Sequence, residues 1–243
     1  MAILDVSQIY TNTGDILQIN YAQKSADNGN TCICLKNKKG VVMIVEKPIE
    51  SNLYISEKDN KIKKVTDSIF QVASGIETDL WYVNKNLKER LVNEKNDYEL
   101  DISFENYRSQ LVDIIHIFTR YNSARPLGIN ILSMIKYKDE YKICKSDSSG
   151  KSVFYKSAVI GKGSRIVKTE LEKLNIEELD IKNMVKNAIR ILYKSYDPLK
   201  DKPFDIEVGI MADETNGEFI RLKHEEYAEF IEQYKDYSVD GED

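Results

Sequence analysis

The sequence predicts an α+β fold in which antiparallel sheets lie between layers of helices. Three observations carry this expectation. Strand and helix patterns fall in segregated blocks, in the order strands, two helices, strands, two helices, a strand and a terminal helix. Neighbouring strand patterns are joined by hairpin-length turns, which suit antiparallel pairing. The run Val41, Val42, Met43, Ile44 and Val45 is apolar at consecutive positions, so both faces of that strand need covering.

The elements follow in chain order. Residues 1–17 carry few apolar groups in no clear period, with a turn cluster at Thr11, Asn12, Thr13 and Gly14, so this arm cannot pack a core by itself. Gln18 to Ala26 reads as a short helix, stopped at Asp27, Asn28 and Gly29 by residues that tolerate φ > 0. Thr31 to Lys36 and Val41 to Val45 form a hairpin over the polar turn Asn37 to Gly40, and Lys61 to Thr66 pairs with Ile69 to Ser74, followed by Gly75. Leu80, Val83, Leu87 and Leu91 mark one helix; Tyr107, Leu111, Ile114, Ile115 and Phe118 mark its antiparallel companion. Strand character returns after Arg125, Pro126, Leu127 and Gly128: Ile129 to Tyr137, a turn at Lys138 to Glu140, Tyr141 to Lys145, then Val153 to Ile160. Gly161 and Gly163 precede a charged helix ending near Leu174, and Ile181, Met184, Val185, Ala188, Ile189 and Leu192 line the face of another. A strand from Asp205 to Met211, a turn at Asn216 and Gly217, a helix bearing Tyr227, Phe230, Ile231 and Tyr234, and the acidic tail Asp240 to Asp243 complete the chain. No linker divides it.

Composition narrows the partners. The 243 residues are 42% hydrophobic and carry a net charge of −5, enough for a full core and without the basic field that nucleic acid or an anionic membrane requires. No stretch reaches the roughly 20 apolar residues of a membrane span, and Met1 to Gln8 lacks signal-peptide character. Cys32, Cys34 and Cys144 are too sparse for a disulfide framework, so free thiols and a cytosolic or nuclear setting are expected.

Candidate chemistry is thin. Gly161, Lys162, Gly163 and Ser164 stand between strand and helix like a dinucleotide fingerprint, but Ile166 replaces its third glycine, and a structural tight turn accounts for them better. Cys32 and Cys34 share a strand face, yet both histidines, His116 and His224, are remote in sequence and a zinc site needs about four ligands. His116 lies in an apolar helical stretch and reads as an interior or interface residue rather than a base. Neither histidine accompanies a GxSxG elbow, and Lys36, Lys38 and Lys39 fit a solvated hairpin turn.

A family resemblance adds to this reading. Gly14 to Lys36, GDILQINYAQKSADNGNTCICLK, resembles the proteasome α signature GRxxQVEYAxxAxxxGxTxIGIK. Gly40 to Leu53 is similar to the family's second strand and loop, YNSARPLG (Tyr121 to Gly128) to its RPxG segment, and AVIGKGSRIVKTELEKL (Ala158 to Leu174) to its strand, glycine turn and helix. Among eukaryotic α classes these segments are most similar to the alpha-seven class, with SVDGED a shortened version of its acidic tail. The chain departs at the front: Leu4, Asp5 and Val6 stand where the family has a YDR-like element, Asn12, Thr13 and Gly14 replace its SPDG turn, and Asn20 replaces the glutamate of QVEYA.

The resemblance implies a four-layer αββα sandwich of the N-terminal-nucleophile hydrolase type, with residues 1–13 as a gate arm (Asp5, Tyr10, Asn12), 14–236 as the α-subunit domain and 237–243 as a tail. It implies a non-catalytic subunit without cofactor or metal, flanked by two ring neighbours of the α type and by β-ring subunits, and meeting the C-terminal tails of regulatory ATPases or other activators. The catalytic positions of active relatives, a terminal threonine with an acid and a lysine, fall at Asn30, Glu46 and Lys61. In the α family the same lysine takes the carboxylate of an activator tail, which assigns Lys61, Gly75, Asn20 and Ile16 to a docking pocket. The alternatives are a self-processing amidohydrolase using Thr31 or Cys32 and, beyond it, an unrelated monomeric binding domain.

Overall fold

The computed structural model describes residues 9–51, 53, 55, 59–98 and 101–235. Two five-stranded antiparallel sheets stack face to face. The first has the order β10-β9-β2-β1-β8, from β1 (Cys32–Lys36), β2 (Gly40–Pro48), β8 (Ser157–Ile160), β9 (Phe204–Ala212) and β10 (Phe219–Arg221). The second has the order β3-β4-β5-β6-β7, from β3 (Lys63–Thr66), β4 (Ile69–Gly75), β5 (Ile129–Tyr137), β6 (Glu140–Ser146) and β7 (Ser152–Tyr155). Helices α4 (Ser164–Glu172), α5 (Ile181–Lys194) and α6 (His224–Tyr234) belong to the first sheet's outer face, while α2 (Glu77–Tyr98) and α3 (Phe104–Arg120) pair over the second.

The period of each strand sorts its side chains into three apolar layers. From β1 and β2, Ile33, Leu35, Val42 and Ile44 join Met184, Val185 and Ile189 of α5 beneath the first helix layer. The alternate residues Cys32, Cys34, Val41, Met43 and Val45 meet Leu132, Met134 and Ile143 between the sheets. Ile129, Ile131 and Ile135 face Leu87, Leu111 and Ile115 on the other side. The unbroken apolar run of β2 is thus covered on both faces. Burying each such aliphatic side chain stabilises the fold by roughly 1.5–3 kcal/mol.

Helix α1 (Leu17–Asp27) lies at one end, against β4 and β5, with Ala22 and Ala26 buried and the Ser74 hydroxyl donating to the Ala26 carbonyl at 2.6 Å. Its stop differs from the sequence expectation. Asn28 caps it in the right-handed region, and Gly29 is needed for space: a Cβ there would lie 2.1 Å from the Gly75 nitrogen.

Two other expectations are corrected, and one strand is added. The segment Val153 to Ile160 is two strands, one in each sheet, broken at the exposed Lys156, whose carbonyl accepts from Lys36 N at 3.0 Å as the chain changes sheet. Lys61 precedes β3 rather than beginning it. The short β10 carries too few residues to show a period; Phe219 fixes it by stacking on Phe70 with ring centroids 3.9 Å apart.

Candidate functional site

The loop Gly29 to Thr31 lies between α1 and β1, against the turn that follows β8. Gly161 makes this approach possible: it sits at φ +95°, and a Cβ would fall 2.1 Å from the Asn30 carbonyl oxygen. Lys162 N donates to Gly29 O at 3.0 Å. Asn30 is therefore an internal residue with its carbonyl pressed against a glycine turn, and an amide offers neither the hydroxyl nor the amine of a terminal nucleophile.

The next two residues are committed elsewhere. Thr31 is 1% exposed; its nitrogen donates to Glu46 Oε2 at 2.9 Å, and its hydroxyl accepts from Gly163 N at 3.2 Å. Cys32 is buried in the inter-sheet layer with Sγ 3.6 Å from Asn30 O, and burial, followed by the charge of Glu46, pushes its thiol well above the ordinary range. The hydroxyl contacts a main-chain amide and the thiol a carbonyl, neither of which is a base.

The acid and the lysine inferred around Asn30 do not pair with each other. Glu46, 3% exposed, pairs with Lys162 at 2.8 Å, and Lys162 also donates to Asp201 at 2.8 Å. Burial works against the Lys162 charge, but the hydrogen bond to Asp201 and the ion pair with Glu46 outweigh it and hold its pKa above the usual lysine value. Lys61 instead reaches Asp59 at 2.6 Å and Glu77 at 2.8 Å. The main chain at Lys61 is fixed from below: its nitrogen donates to Glu207 Oε2 at 2.6 Å, and Glu207 in turn accepts from Arg221 Nε at 2.7 Å.

Of the residues assigned to a docking pocket, Lys61 and Gly75 line one small cavity of about 30 Å³, together with Asn30 and Glu77. Ile16 and Asn20 lie at the other end of α1, Ile16 as its N-cap and Asn20 exposed, and neither lines that cavity. In the expected gate arm, Tyr10 is 69% exposed and Asn12 is exposed within a turn closed by Gly14 N donating to Thr11 O at 3.0 Å; Asp5 lies outside the described residues. The RPLG segment is pinned beside the pocket. Arg125 binds Asp79 through two contacts of 2.7 Å, and Gly128 N donates to Asp79 Oδ2 at 2.9 Å. Gly75, at φ +109°, lets its backbone approach the Gly128 carbonyl.

The remaining sequence candidates resolve plainly. His116 is exposed on this chain, with its ring 3.2 Å from the Thr119 hydroxyl, which corrects an interior placement. Cys34 shares the inter-sheet layer with Cys32, and among the described residues no cluster of three His, Cys, Asp or Glu could hold a metal. Lys38 and Lys39 are exposed on their turn. Sequence reasoning misses Lys162, Asp59 and Glu77. The GKG turn is visible in the sequence, but its lysine's partners lie far away along the chain; Asp59 stands two residues before Lys61 and Glu77 beyond the β3–β4 hairpin, and both read as ordinary surface acids.

Comparison with known proteins completes the description. A family model described as "Proteasome subunit" matches residues 26–211. The protein named "Probable proteasome subunit alpha type-7" of Encephalitozoon cuniculi is 44% identical over 99% of this chain and 99% of its own length. A protein of the same name from Saccharomyces cerevisiae is 31% identical over 98% of this chain and 83% of its own, and "Proteasome subunit alpha type-3" of Acanthamoeba castellanii is 28% identical over 98% and 94%.

Proposed function

This chain belongs to the proteasome subunit family, and from that premise we propose that it is a non-catalytic α-type subunit of the outer ring of the 20S core particle. Its work is structural and regulatory in protein degradation: it builds the ring, limits substrate passage and presents a docking surface to activators. The observation that carries this reading is Asn30. By the family resemblance it stands at the nucleophile's position, and here it follows a helix that is packed onto β4 and β5 and tied there by Ser74.

The partners follow from the ring. Two α neighbours meet two different side surfaces of the subunit, because a closed ring needs heterologous contacts, and β-ring subunits meet another face. We place the protein in cytoplasm and nucleus, a setting supported by its three buried free thiols. Residues 1–13 are assigned to the axial gate, 14–236 to the ring domain and 237–243 to a short acidic tail.

Native mass measurement after affinity capture tests the proposal. Recovery in a very large cylinder with related α chains and a β ring supports it; a monomer overturns it. Intact mass tests catalysis directly, since a mature chain beginning near Thr31 establishes the self-processing alternative.

A further inference from the structure

We propose that Asp59 and Glu77 occupy the anion seat of Lys61 and make this subunit's pocket refuse the terminal carboxylate of a docking peptide. The inference rests on the reading of Lys61 as a pocket lysine and adds that the chain's own acids hold that pocket shut.

A lysine ammonium has three donors. Two point at carboxylates already present, Asp59 Oδ2 at 2.6 Å and Glu77 Oε2 at 2.8 Å. Glu77 Oε1 also faces Lys63 Nζ at 3.5 Å, so among the described residues the seat holds two cations and two anions. An arriving carboxylate meets an ammonium already paired with two acids that repel it, where a lone lysine would attract it.

Three features keep the arrangement in place. Glu77 opens α2, where a negative charge is favoured by the exposed N–H groups and the helix dipole. Glu207 binds the nitrogen of Lys61, and Arg221 holds Glu207 while donating to the Ile62 carbonyl at 3.0 Å, so the backbone below the lysine is clamped. The cavity beside Lys61, Gly75 and Glu77 is small, about 30 Å³, and Glu77 forms part of its wall. Glu77 remains half exposed, so the acid that closes the pocket stands at its mouth.

The test uses assembled core particles containing the wild-type chain, the pair Asp59→Asn with Glu77→Gln, or that pair with Lys61→Met. The probe is a short peptide copied from the C-terminus of a regulatory ATPase of the same organism, carrying a benzophenone side chain, with either a free carboxylate or a terminal amide. Photolabelling of each α chain is read by intact mass, the other α chains serving as internal references. The wild-type chain is expected to remain at background, and the paired variant to gain about tenfold with the carboxylate peptide alone. Lys61→Met should return it to background. Equal carboxylate-dependent labelling of wild type and paired variant overturns the exclusion while leaving Lys61 a docking lysine. Neighbouring chains labelled, with neither form of this chain labelled, overturns both readings. If the paired variant does not enter the particle, Glu77→Gln alone takes its place: a smaller carboxylate-dependent rise over wild type supports the exclusion, and no rise overturns it.

Discussion

Lys162 and Lys61 each hold two carboxylates at salt-bridge distance, but the surroundings differ. Glu46, the partner of Lys162, is 3% exposed, whereas Asp59 and Glu77 beside Lys61 are 27% and 49% exposed. The same ion-pair chemistry therefore does two jobs. A buried carboxylate left without its cation suffers the full desolvation penalty, so Lys162 is bound to the fold. Glu77, half exposed, exchanges its lysine for water at little cost, which leaves that side of the Lys61 cluster able to respond to a substitution nearby.

The largest expected effect tests the buried side of this contrast. Lys162→Met strands Glu46 and should cost about 3 kcal/mol of unfolding free energy, read from the denaturant midpoint; a loss within about 0.5 kcal/mol would break the contrast. Asp79→Asn comes next. It weakens the two-point grip of Arg125 and the Gly128 N–H contact, for an expected loss of about 2 kcal/mol in the same measurement. Glu77→Gln should change stability by less than about 1 kcal/mol, and a larger loss would make the Lys61 cluster structural after all.

The smallest effect sharpens the point through pH. Glu170 is held below the ordinary carboxylate range, first by the hydrogen bond from Lys173 and, against its burial, by the charge of Lys194. A depressed carboxylate stabilises the fold fully above the unfolded-state pKa near 4.5 and loses that contribution as pH falls through its folded value. Glu170→Gln should therefore be less stable than wild type at pH 7, and the gap should close as pH falls from about 4.5 through the folded value. A gap that persists in acid would assign the loss to packing.

Much of the architecture is legible in the sequence because periodicity is a local signal. The apolar run of β2 announces a doubly covered strand, and the alternation of Cys32 and Cys34 announces a shared face. The crossing at Lys156 is hidden because residues on both sides of it have strand character, and nothing in the pattern says that their partners lie in different sheets. Asn30, Glu46 and Lys61 are located through motifs, yet which cation each acid takes depends on the third dimension. Lys162 outcompetes Lys61 for Glu46 because the turn held against Asn30 by Gly161 carries its side chain there. The docking group is half legible for the same reason: Lys61 and Gly75 are brought together by the β3–β4 hairpin, while Ile16 and Asn20 sit at the far end of α1.

The two sheets also differ in when they can be made. The second is assembled from strands in unbroken chain order, so everything from Lys63 to Tyr155 can pair as it is synthesised. The first is not: β2 lies between β1 and β9, and must wait for Phe204–Ala212. Until then its apolar residues present an unpaired edge, the kind of surface that invites association with other chains. That long-range pairing closes late, so the interval before β9 arrives is when this edge stays open longest.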